Sequence, residues 1–222
     1  GDISISAGEN GNNVTQGGTT TENDTDTVIK SKDSSTASSN TVTIDADEGK
    51  TVNVTLDNVT INVDEGYEHG YDPNAYKTAV SVTGSGNTNI ELNGNNTLTS
   101  GYGHAGLEHN KTDDSGTLTI QDEKNDDGSA KGSASDTTGS LTATGGYHSA
   151  GIGGSDKQDG QATITGGEIT ATGGNGAAGI GGGAGDKYTA VGGDGDVTIS
   201  GGTITATGGN LASGIGGGCD GN

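Results

Sequence analysis

Tyr102 and Tyr147 occupy matching places in two repeats, each five residues before an aliphatic residue, Leu107 or Ile152, and each with a histidine close behind, His104 or His148. A flat phenol beside imidazole and hydroxyl groups is chemistry suited to a sugar. The C–H face of the sugar packs on the ring while its hydroxyls find donors and acceptors around it. The same column would also arise as a surface tyrosine ladder that covers a glycine-rich corner. A second aromatic group, Tyr67, His69, Tyr71 and Tyr76, falls in DEGYEHGYDPNAYK together with the only proline, Pro73. A tyrosine-rich loop on an aromatic-poor chain reads as a partner-binding element or as a flap packed on the flank.

The acids offer a second kind of chemistry. Asp159 and Asp194 stand at equivalent distances before a strand, Asp196 follows two residues on, and Asp156 and Asp186 follow the GIGG corners. Loop carboxylates with glycine carbonyls could hold calcium, which takes about six to eight oxygens. No EF-hand or calcium-binding nonapeptide pattern is present, so solvated turn aspartates are the competing reading. GHAGLEHN places His104, Glu108 and His109 together, but with neither zinc spacing nor a triad order. A lyase would need a strong base beside a cation; the chain has no Arg, and its Lys residues sit at no repeated position. A hydrolase would pair strand carboxylates, and only Glu91 and Glu168 are expected on strands. A non-catalytic protein is therefore expected.

The elements that must position these groups are repeats. ATITGGEITATGGNGAAGIGGG from Ala162 and VTISGGTITATGGNLASGIGGG from Val197 are two copies, and degenerate copies precede them. Each carries three short apolar patches, at Ile164 or Ile199, Ile169 or Ile204, and Ile180 or Ile215, separated by glycine turns. Inside ITAT the alternation sends Ile169 and Ala171 to one face and Thr170 and Thr172 to the other, which is strand periodicity. Three strands per repeat with glycine corners describe an all-β fold, a right-handed parallel β-helix of three faces, with about five coils from Thr41 onward stacked roughly 4.8 Å apart. Residues 1–40 form a capping or linker segment. Residues 41–222 form the helix, truncated at its C-terminal end. Thr142, Thr170 and Thr205 make one outward row and Thr144, Thr172 and Thr207 another. Such rows resemble those of ice-binding solenoids, and they also follow from the strand propensity of threonine.

Composition agrees with a thin core. The chain has 46 glycines, no Phe, Trp or Met, and a formal charge of -21. With nine Lys against thirty acids, nothing neutralises a run of phosphates, so nucleic acid is excluded and direct contact with an anionic membrane is not expected. The single Cys219 excludes an intrachain disulfide and reads as a semi-buried turn residue or a reactive thiol.

The ITITGG-ITATGG-GAGIGGG pattern, spread over residues 86–218, resembles the Gly-rich parallel β-helix repeats of secreted surface proteins from clostridial and related Gram-positive bacteria. The earlier VTLDNVTI and AVSVTGSGNTNIELNGNNTLTSG resemble a carbohydrate-binding β-helix family similar in shape to polysaccharide lyases. That resemblance implies a secreted or cell-surface adhesin or carbohydrate-binding module that holds calcium and binds a polysaccharide, host glycan or glycoprotein. A surface protein that grips a host protein such as an immunoglobulin or mucin is the alternative, followed by a lyase-like enzyme and an ice-binding protein.

Overall fold

Short runs of alternating apolar and polar residues, each ended by glycine or asparagine, can bury only one face, so each must stack on its like. In the computed structural model, which describes residues 1–64, 66, 76–122, 138–185 and 191–221, they do so in three parallel sheets. The chain begins with β1 (Ile3–Ala7), β2 (Asn12–Gln16), β3 (Thr19–Asp24) and β4 (Val28–Lys30). The windings follow. The first is β5 (Val42–Ala46), β6 (Thr51–Asp57) and β7 (Thr60–Asn62), and the second is β8 (Val80–Gly84), β9 (Asn87–Asn93) and β10 (Asn95–Thr99). The third is β11 (Leu107–Glu108), β12 (Leu118–Asp122) and β13 (Ser140–Thr144), and the fourth is β14 (Ile152–Gly153), β15 (Gly160–Ile164) and β16 (Glu168–Thr172). The fifth is β17 (Ile180–Gly181), β18 (Gly195–Ile199) and β19 (Thr203–Thr207), and β20 (Ile215–Gly216) opens the next.

The first face has the order β20-β17-β14-β11-β8-β5-β1-β2-β3, the second β18-β15-β12-β9-β6-β4, and the third β19-β16-β13-β10-β7. This is a right-handed parallel β-helix with five complete windings from Val42, as the repeats predict. Inward residues form columns: Val42, Val80, Leu107, Ile152, Ile180 and Ile215 on the first face, and Val54, Ile90, Ile120, Ile164 and Ile199 on the second. All but the terminal Ile199 and Ile215 are buried, and each fully buried aliphatic side chain contributes on the order of 1.5–3 kcal/mol. On the third face Val59, Asn96, Leu141, Ile169 and Ile204 line up inward, while Thr97, Thr142, Thr170 and Thr205 face out.

The polar Asn96 is buried but fully employed. Its Oδ1 accepts the Val59 N–H at 2.9 Å, and its Nδ2 donates to the carbonyls of Asn93 and Ser140 at 3.2 and 3.1 Å. Glycine takes the second position in three of the two-residue first-face strands, β14, β17 and β20, where β11 has Glu108. Gly153, Gly181 and Gly216 lie at φ 124, 134 and 127°, and a Cβ on Gly181 would overlap the Gly216 carbonyl oxygen.

Residues 1–40 continue all three faces. β1 pairs parallel with β5, β4 with β6, and Ser38 bridges Ile61, while β2 and β3 extend the first face as antiparallel strands. The Asn12 amide ties them to the helix, donating to Thr27 Oγ1 at 2.9 Å and to the Asn53 carbonyl at 2.7 Å.

Candidate functional site

Each winding passes from the third face to the first through a glycine-rich bend, and backbone bonds clamp one bend onto the next. Gly103 N–H donates to the Tyr147 carbonyl at 3.1 Å, and Gly146 N–H to the His104 carbonyl at 2.9 Å. Residues at the same place in successive bends are thereby forced together. Tyr102 and Tyr147 stack with centroids 5.1 Å apart and planes at 21°. The stack is longer than these two rings. Tyr76 lies 5.3 Å below Tyr102 at 33°, and the His148 imidazole lies 4.0 Å from Tyr147 at 27°.

The sequence places Tyr76 in the loop DEGYEHGYDPNAYK; it stands four residues before Val80, whereas Tyr102 stands five before Leu107. The bend before β8 absorbs that one-residue difference. Tyr67, His69 and Tyr71, its companions in the expected loop, lie outside the described residues, as does Asp186.

The stacking alters the expected mode of contact. Ring faces are turned toward one another, so the column offers solvent its edges and hydroxyls rather than an open platform. Tyr76 is 6% exposed and Tyr147 45%. Beside the column runs a cleft of ≈ 540 Å³, lined by Asp64, Gly66, Tyr102, Gly145, Gly146 and Tyr147, within the roughly 300–1,000 Å³ usual for ligand sites. Its glycines leave backbone within reach of a ligand. Asp64 lines the same cleft, its carboxylate accepting the Gly66 N–H at 3.0 Å.

The two histidines do not share a column. The pairing of Leu107 with Ile152 sets His104 level with Ser149, and His148 level with Gly103. His104 Nδ1 lies 2.8 Å from Thr78 Oγ1 and 2.9 Å from Glu108 Oε2, and Glu108 also accepts the Ala105 N–H at 3.2 Å. His148 sits at φ 66°, the left-handed region that histidine enters more readily than most residues, with Nδ1 3.5 Å from Asp156 Oδ1. His109, the third histidine of this region, is an inward residue: 2% exposed, with Nδ1 3.0 Å from the Gln161 carbonyl. Burial holds its pKa below the ordinary value, against the hydrogen bond to Gln161.

The corner aspartates are brought together only in part. Asp159 accepts the Asp194 N–H at 2.8 Å, Asp196 pairs with Lys111 at 2.6 Å, and Asp156 faces His148 and Lys157. Among the described residues no three acidic, histidine or cysteine side chains converge as metal ligands. Strand carboxylates are more numerous than Glu91 and Glu168, since Glu22, Asp24, Asp45, Asp57, Glu108, Asp122 and the expected corner residue Asp196 also lie on strands. Asp57 pairs with Lys30 at 2.6 Å, and Glu91 accepts from Gln121 at 2.8 Å. The Cys219 thiol is pushed up by burial and by Asp220 beside it, which keeps it protonated at neutral pH.

Stacked windings with repeated glycine bends define the chain as a parallel β-helix repeat protein. A family model described as a β-helix repeat matches residues 139–156, 163–184 and 197–219, each stretch holding a third-face strand, the bend and the following first-face strand. Tyr147 and His148 fall inside the first stretch, whereas Tyr76 and Tyr102 precede it. No curated protein and no solved structure matches the chain.

Proposed function

We propose that this β-helix is a non-catalytic carbohydrate-binding or adhesive module of an extracellular bacterial protein, secreted or displayed on the cell surface. The observation that carries the reading is the aromatic column of Tyr76, Tyr102, Tyr147 and His148 beside a glycine-floored cleft. Phenol hydroxyls and edges, glycine backbone groups and the Asp64 carboxylate around one cleft supply the mixed apolar and hydrogen-bonding surface a sugar needs. Stacking holds the rings in place before a ligand arrives, which lowers the ordering cost of binding. The bound polymer gains from repeated weak contacts along a rigid axis. Support for binding rather than catalysis comes from the partners of the ionisable groups: His104 is engaged by Glu108 and Thr78, and Glu91 and Asp57 by Gln121 and Lys30.

A glycan array probed with the full chain, once with calcium and once with chelator, tests the proposal. Glycan signals that vanish in Tyr147→Ala, while its circular dichroism is unchanged, are expected. Silence on every glycan, with capture of an immunoglobulin or mucin instead, overturns the carbohydrate reading in favour of a host-protein ligand. A signal present only with calcium adds the metal to the recognition.

A further inference from the structure

The outward side of the third face carries four Thr-x-Thr pairs in register, starting at Thr97, Thr142, Thr170 and Thr205. Sequence repeats disclose the last three pairs; the ladder adds Thr97 and Thr99 of the divergent strand NNTLT. Parallel pairing sets equivalent threonines about 4.8 Å apart along the axis, and the two columns stand roughly 6.6 Å apart, twice the strand rise. None of the eight side chains is buried, and among the described residues none of their hydroxyls has a hydrogen-bond partner within the protein. Other threonines differ in this: Thr60 Oγ1, at the head of the inner column, donates to the Ser34 carbonyl at 3.3 Å.

We propose that this face binds ice. Threonine is β-branched and stiff at χ1, so each residue holds one methyl and one hydroxyl in fixed positions without a ligand to order them. The ladder repeats that unit in two dimensions, along the strands and across them. The hydroxyls can anchor water molecules at regular intervals while the methyls hold the water between them in cages, giving a periodic layer that merges with a crystal plane. The two columns contain no charged side chain to impose its own hydration; Glu168 stands in the flanking column with Asn95, Ser140 and Thr203. A sugar polymer is served less well here. It is recognised through aromatic surfaces and a few directed amides or carboxylates, and the two columns offer none.

The test is the gap between melting and freezing points of a single ice crystal in a solution of the full chain, with crystal shape recorded. A measurable gap and faceted crystals are expected. Both should be lost in Thr170→Lys, at the centre of the array, and kept in Thr198→Lys on the second face. Thr142→Lys, at a more exposed place on the array, serves as a second variant should Thr170→Lys fail to fold by circular dichroism. Round crystals with no gap for the unmodified chain overturn the proposal, as does equal loss in Thr198→Lys. Retention on crystalline cellulose or chitin with no effect on ice also overturns it, by making the face a polymer-binding surface.

Discussion

At the scale of single residues, two buried polar side chains carry consequences out of proportion to their number. His109 donates from Nδ1 to a carbonyl and is neutral, and burial keeps its pKa below the ordinary 6.5. Above that value both folded and unfolded chains hold the imidazole neutral, so it contributes nothing to pH dependence. As pH falls through about 6.5 the unfolded chain takes up a proton that the folded chain resists, and stability drops until the folded pKa is passed. Melting temperatures of the unmodified protein and of His109→Gln, compared from pH 8 to pH 5, should diverge over that window, with the variant the less sensitive. Asn96 makes the second case. Asn96→Leu matches the volume of Leu141 in its column but strands the Val59 N–H and takes one donor from each of the Asn93 and Ser140 carbonyls. It should cost about 2–4 kcal/mol in urea unfolding, because unsatisfied buried groups outweigh the gain in apolar burial.

At the scale of elements, the bends decide what the strands can present. Gly181→Ala forces a Cβ against the Gly216 carbonyl at a φ of 134°, so the fifth winding cannot close on the next. A loss of more than roughly 2 kcal/mol is expected, measured by urea unfolding against Gly17→Ala, whose Cβ would meet open space although its φ is also positive. The aromatic column depends on the same bends. A tyrosine in a single bend would be a lone surface ring, and only the clamping of bend on bend joins Tyr76, Tyr102 and Tyr147 in one column and sets Tyr102 and Tyr147 along a cleft.

At the scale of the whole molecule, stability is a sum over neighbouring windings, so the cost of a deletion depends on its place along the axis. Ile164→Ala in the fourth winding should cost about 2–5 kcal/mol, and Ile199→Ala in the fifth clearly less, since Ile199 is 40% exposed and has lost one layer of neighbours. Denaturant titrations of both variants check the ranking. The net charge of -21 adds a second global term. Repulsion among surface acids is screened by salt, so the melting temperature should rise between low and moderate ionic strength, opposite to a fold held by surface ion pairs.

What could be read from the residues alone follows from covalent order. Isoleucine and glycine recurring in one register, with alternation between them, require stacked short strands, and they place Ile164, Ile169 and Ile180 on three faces and Tyr102 level with Tyr147. Insertions hide the rest. They shift the phase by a residue or more, so the linear pattern leaves Tyr76 with the loop and Thr97 and Thr99 outside the threonine rows. Direction is also absent from a linear pattern: whether stacked rings show faces or edges, whether His109 points into the tube, and which hydroxyls are left to water depend on how each bend turns against the next. Hydrogen bonds between residues far apart in the chain set those angles, and only the folded molecule contains them.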